Sequence, residues 1–143
     1  MTHPYRTALV AIDCGENTPT LLAKARNLVP DLSCLHLIHV IEPLSLAYSA
    51  EVPVDVSDLQ QSLLEQARKA ALDYAASAGI QESQVHLALG SIEKTILDTA
   101  DKLGADVLVV GCHTRTGLAV LLGNKARGLL PGASCDVLAV RLD

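Results

Sequence analysis

The chain has 143 residues and a formal net charge of -5, a length that suits one domain with a full hydrophobic core and no need of disulfides or metals. Half of the residues are hydrophobic and 19% are charged, which excludes global disorder. Only 2% are aromatic, with no Phe and no Trp, so the stacking platforms of single-stranded nucleic-acid binders are missing, and a pI of about 5.4 speaks against phosphate-backbone binding.

No apolar run reaches the roughly 18 residues that a membrane helix needs. The first apolar stretch ends in Asp13, without a separate signal segment and cleavage site. A single domain over residues 1–143, soluble and cytoplasmic, with neither nucleic-acid nor membrane partners, is therefore expected.

Residues 5–13 read as a first strand. Thr18 is placed to cap a helix and Pro19 to occupy its first position. Leu21, Leu22, Ala25, Leu28 and Val29 then recur with helical period up to Pro30. Residues 34–41 form an apolar run interrupted only by His36 and His39, as suits a buried parallel strand. Residues 42–56 hold Pro43 and Pro53 and read as a loop. A second helix is expected from Ser57 or Asp58 to about Ala78, with Leu59, Leu63, Leu64, Ala67, Ala70, Ala71 and Tyr74 facing inward and Gly79 as its stop.

Residues 84–89 predict a third strand. Ser91 is the expected cap of a third helix, with Ile92, Ile96, Ala100 and Leu103 inward and Gly104 at its end. A fourth strand is expected at 106–110, a glycine-spaced loop from Gly111 to about Gly123, a helix to about Leu130, and a last strand at 136–142. Strands and helices alternate throughout, which predicts an α/β fold with a single open, mainly parallel five-stranded sheet and helices on both faces. Periodicity alone leaves the strand order open.

In such a sheet, ligands bind beyond the carboxyl ends of the strands where the winding reverses. The segments there are Asp13-Cys14-Gly15, His39-Val40-Ile41-Glu42, Gly90-Ser91 and the stretch that starts at Gly111. From Gly111 to Leu130 the chain carries glycines at 111, 117, 123 and 128, with Arg115, Lys125 and Arg127 and no Asp or Glu. Glycines admit close approach of backbone N–H groups to an oxyanion, and a helix N-terminus favours negative charge. A phosphate cradle and ordinary turn glycines beside solvated basic residues both fit these residues. Neither G-x-x-x-x-G-K-[ST], G-x-G-x-x-G nor G-x-S-x-G occurs, so P-loop, dinucleotide and nucleophile-elbow chemistries lack their fingerprints.

The V-A-I-D at positions 10–13, L-I-H-V at 37–40, D-V-L-V-V-G at 106–111 and C-D-V-L-A-V-R-L at 135–142 resemble the universal stress protein family over essentially the whole chain. The resemblance implies strand order 3-2-1-4-5, with Asp13 and Gly111 facing one cleft. Nucleotide-binding members carry G-x2-G, eight or nine residues, then G-[ST]. Gly111 and Gly123 match the first and third glycines, while Thr114 and Asn124 replace the second glycine and the final Ser/Thr. Thr114 crowds a close phosphate through its Cβ, whereas Asn124 keeps a donor.

The resemblance assigns Asp13 to the base, where it would accept hydrogen bonds from an adenine amine or a ribose hydroxyl. His113 is placed to donate to a phosphate. The candidate cofactor-binding residues are thus Asp13, Val40, Gly111, His113, Thr114, Arg115, Gly123, Asn124 and Lys125. The expected cofactor is ATP or AMP, with Mg in the case of ATP. The alternative is a dimeric interaction protein of the same family that binds no nucleotide.

No nucleophile–base pair is evident, so no enzymatic activity and no catalytic residue are expected. His36 and His39 point to opposite strand faces and cannot share a metal, and His3 and His86 have no partner in sequence. Cys14, Cys34, Cys112 and Cys135 lack C-x-x-C spacing and read as small buried hydrophobes, with Cys112 in the glycine loop. The last strand is apolar up to Arg141 and forms an edge in the implied order. It predicts a homodimer through residues 136–142, and Val140→Lys is the expected way to split it.

Overall fold

The computed structural model describes residues 3–43, 57–112 and 132–142. Along the chain lie β1 (Ala8–Ala11), α1 (Thr18–Arg26), β2 (Leu35–Ile41), α2 (Ser57–Ser77), β3 (Val85–Leu89), α3 (Ile92–Leu103), β4 (Val107–Cys112) and β5 (Asp136–Arg141). The sheet order is β3-β2-β1-β4-β5, and every pairing is parallel rather than mainly so. The helix expected between Gly123 and Leu130 lies outside the described residues.

The central strands are apolar on both faces because both faces are covered. Ala8, Val10, Leu35, Leu37, Val107 and Val109 pack beneath α1 (Leu21, Leu22, Ala25) and α2 (Ala71, Ala75). Leu9, Ile38, Leu108 and Val110 pack beneath α3 through Ile96 and Ala100. Helices therefore cover both faces of the sheet. Gly79 and Gly104 end α2 and α3 in the left-handed region, with φ of 79° and 65°, where glycine carries no Cβ penalty.

Several local expectations shift. The first strand is shorter than residues 5–13, because the N–H groups of Arg6 and Thr7 donate to the Asp106 carboxylate, each at 2.9 Å, instead of to a neighbouring strand. Asn17 rather than Thr18 stands at the N-cap of α1, without a side-chain cap bond, and Thr18 is buried in the first turn. That helix stops at Arg26, before Val29, through bonds from Asn27 N–H to Lys24 O and Leu28 N–H to Ala25 O. Ser91 stands at the N-cap of α3, but its side chain makes no cap bond.

Leu59, expected inward on α2, is 49% exposed. The helix has 21 residues and β2 has 7, so at 1.5 Å and about 3.3 Å per residue α2 outruns its strand by about 8 Å. Its first turns extend past the sheet they were expected to cover.

The two sheet edges differ from the centre. Leu89 closes β3 at 46% exposure, and Leu138 lies on β5 at 37%. Val140, by contrast, is 7% exposed and belongs to the core under α1 and α2. Val140→Lys is therefore a core substitution and does not report on an edge contact alone.

Candidate functional site

The winding reverses between β1 and β4, since β1 leads through β2 to β3 on one side and β4 to β5 lie on the other. Ala11 pairs with Ile38 and with Val110. Beyond that level β2 runs three residues further, to Ile41, and β4 two further, to Cys112. One extra ladder bond, from Ile12 N–H to Ile38 O at 2.9 Å, ends the pairing of β1. A notch is left above the end of β1, walled by β2 and β4.

The turn after β1 floors this notch. Asp13 Oδ1 accepts a hydrogen bond from Gly15 N–H at 2.8 Å, an Asx turn. Cys14 between them has φ 61°. That conformation costs a non-glycine residue roughly 1–2 kcal/mol and holds here because the turn is fixed on both sides. One bond to Oδ1 leaves the exposed carboxylate with further acceptor capacity.

His39 secures the wall on β2. Its Nδ1 lies 2.8 Å from Ile12 O. A carbonyl oxygen only accepts, so Nδ1 carries the proton. This side chain donates to the last carbonyl before Asp13 and ties the end of β1 to β2. Burial, and then the charge of Asp13, push the Cys14 thiol up to about 11, so it is protonated at neutral pH and is no nucleophile.

Of the residues expected at the site, Asp13, Val40 and Gly111 come to the carboxyl ends of the three adjacent strands β1, β2 and β4. Gly111 is a strand residue paired with Val140, not the first residue of a loop. Cys112 ends the same strand and also lies outside any loop. A Cβ on Gly111 would stand 2.6 Å from Leu142 Cδ1 and 3.5 Å from Leu21 Cδ2, so a larger residue here requires the Leu142 side chain to move. His113, Thr114, Arg115, Gly123, Asn124 and Lys125 lie outside the described residues.

The profile of the universal stress protein family matches residues 4–141. The chain belongs to the universal stress protein family. It is 37% identical over 143 residues to universal stress protein A homolog 2 of Coxiella burnetii, covering 96% of each chain. The solved universal stress protein UspA of Lactobacillus plantarum superposes with a TM-score of 0.74 at 19% identity, covering 98% of this chain and 100% of that one. The Archaeoglobus fulgidus universal stress protein in complex with dAMP superposes with a TM-score of 0.54 at 16% identity, covering 96% and 98%.

This universal stress protein holds a second histidine contact that its sequence did not disclose. His36 Nδ1 and His86 Nε2 lie 3.2 Å apart across β2 and β3, with ring centroids separated by 5.4 Å. The signal was present as two histidines in an apolar run, but pairing one of them with His86 requires the strand order. Among the described residues, no group of three or more His, Cys, Asp and Glu is placed to hold a metal ion, and no helix is long and apolar enough to cross a membrane.

Burial lowers the pKa of both imidazoles, and for His36 the neighbouring His86 adds to the shift. The unfolded chain therefore binds more protons than the folded one as pH falls through about 6.5, the ordinary histidine value. The stability contribution is complete above that pH and is lost below it. Urea midpoints should fall between pH 7.5 and 5, and His36→Gln with His86→Gln should flatten the slope over that interval. An equal slope in the double variant would assign the acid sensitivity to other groups.

Proposed function

We propose that the protein binds an adenine nucleotide, ATP or AMP, in the notch above β1 and acts as a non-catalytic cytoplasmic stress-response regulator. The observation that carries this reading is the notch itself. It sits at the winding reversal of a parallel sheet, with a fixed carboxylate turn at its floor. A carboxylate repels phosphates, so Asp13 serves the other end of the nucleotide and accepts from the adenine amine or a ribose hydroxyl. Val40, half-buried at the end of β2, offers apolar surface beside it.

The phosphates go to the acid-free stretch that begins at Gly111. His113, Thr114 and Asn124 supply donors there, Arg115 and Lys125 supply charge, and Gly123 supplies a backbone without Cβ. With ATP, Mg enters as the counter-ion of the phosphates. The related fold with bound dAMP supports the same class of ligand. Two copies joined along β5 make the working assembly, one domain each.

A second reading has its own observation. Gly111 packs against the Leu142 side chain, a contact that involves no phosphate, and Thr114 and Asn124 depart from the nucleotide-binding pattern. In that reading the protein is a dimeric interaction module without nucleotide. Denaturing the purified protein and examining the released material by absorbance and mass spectrometry separates the two, since a chain without Trp makes a 260 nm excess plain.

ATP-Mg at a hundred times Kd adds about 2.7 kcal/mol, which raises Tm by roughly 5–10 °C in a chain of this size. Asp13→Ala should remove most of that shift. No released nucleotide and no shift at millimolar ATP-Mg or AMP would leave the interaction module as the function.

A further inference from the structure

We propose that the outer edge of β3 is a docking slot for an extended peptide, which adds to the sheet as a sixth strand. β3 pairs with β2 on one side and is the last strand on the other. A cleft of about 570 Å³ runs along that open side. Residues 85–88 line it consecutively, so it touches side chains of both strand faces and lies beside the strand rather than above it. One wall is α2 with Leu72 and Arg68, and the other is α3 with Leu103 and Lys102.

Two helices from opposite faces thus overhang a strand edge that pairs with no other strand among the described residues. In a parallel ladder alternate residues of β3 direct N–H and C=O away from β2, and an extended backbone has the spacing that satisfies such a row. The edge strand itself carries no protecting residue. Its sequence, V-H-L-A-L, has no Pro, Lys or other charged residue. The Nδ1–Nε2 contact between His36 and His86 holds a β3 side chain against β2.

The charge of the walls selects the occupant. Arg68 is paired with Glu82 at 3.3 Å. Among the described residues this leaves Lys102, exposed in the last turn of α3, as the net cation of the slot. The slot therefore fits an extended segment that alternates apolar residues, which face α2 and contact Leu72, with acidic residues, which face α3 and reach Lys102. A second copy of β3 is a poor match because its strand residues, V-H-L-A-L, place no carboxylate at alternate positions. Two self-pairing edges on one sheet would also propagate into open fibres.

The test uses three fluorescein-labelled octapeptides in which Val alternates with Glu, Thr or Lys, read by anisotropy and by amide shifts in 15N spectra of the full chain. The Glu peptide should bind most tightly and shift the amides of residues 85–89. N-methylation of alternate amides in that peptide should abolish binding. Lys102→Glu, an exposed change that leaves the fold intact, should weaken the Glu peptide by about tenfold and strengthen the Lys peptide. Binding by none of the three peptides, binding that survives N-methylation, or shifts that map away from β3 would overturn the proposal. So would assemblies larger than a dimer that Lys102→Glu leaves intact while peptide fails to bind, since these assign the edge to self-pairing.

Discussion

Leu9→Ala lowers the unfolding free energy by about 2–5 kcal/mol, and thereby Tm by roughly 7–17 °C. Leu9 is fully buried in the central strand. It stands between His36 on β2 and Leu108 on β4, in one cluster with Ile38 and with Ile96 and Ala100 of α3. Aliphatic neighbours anchored in strands or a helix cannot close over the lost methyls, so the cost includes both transfer and cavity. Leu89→Ala is the control, since Leu89 is 46% exposed at the end of β3 and its loss should cost no more than about 1 kcal/mol. Chemical denaturation of the two variants checks the contrast. A Leu9→Ala loss below that of Leu89→Ala would mean that α3 collapses onto the sheet and that this layer is loosely packed.

The alternation of apolar strands and amphipathic helices was readable because it is local, and the described elements fall where that alternation puts them, within a few residues. The strand order was not local. It came with the family resemblance, because periodicity does not say which strand lies beside which. The end of β4 shows where local reading stops. Gly111 looks like the start of a loop because glycine is common there, yet it remains in the strand because it pairs with Val140. The strand that holds it lies far along the chain, in β5.

The same limit governs the histidines. His36 and His39 were correctly placed on opposite faces, but their partners, His86 and the carbonyl of Ile12, depend on neighbouring strands. At the site, Asp13 was legible from its position after an apolar strand. The turn that fixes it, with Cys14 at positive φ, was not, since cysteine carries no preference for that conformation.

Val140→Lys and Leu138→Lys, two positions apart on β5, should separate core from interface. Both side chains point to the face covered by α1 and α2, since strand side chains repeat every second residue. Val140 is 7% exposed within that core. A lysine there loses the burial of Val and places an unpaired ammonium against apolar neighbours, a cost of about 3 kcal/mol or more. The protein should unfold at markedly lower urea, and any loss of dimer would follow from that. Leu138 is 37% exposed at the open edge. A lysine in its place can extend its stem over the surface and keep its charge in water, so the monomer should lose only about 1 kcal/mol. In an antiparallel β5–β5 pair about a two-fold axis, however, each new charge lies close to its symmetry mate, and repulsion acts on association alone. Sedimentation equilibrium at micromolar concentration should give twice 15.1 kDa for the unmodified chain and a shift toward 15.1 kDa for Leu138→Lys, with its urea midpoint little changed. An unmodified chain that sediments as a monomer, or a Leu138→Lys protein that remains a full dimer, would remove β5 as the seam between copies.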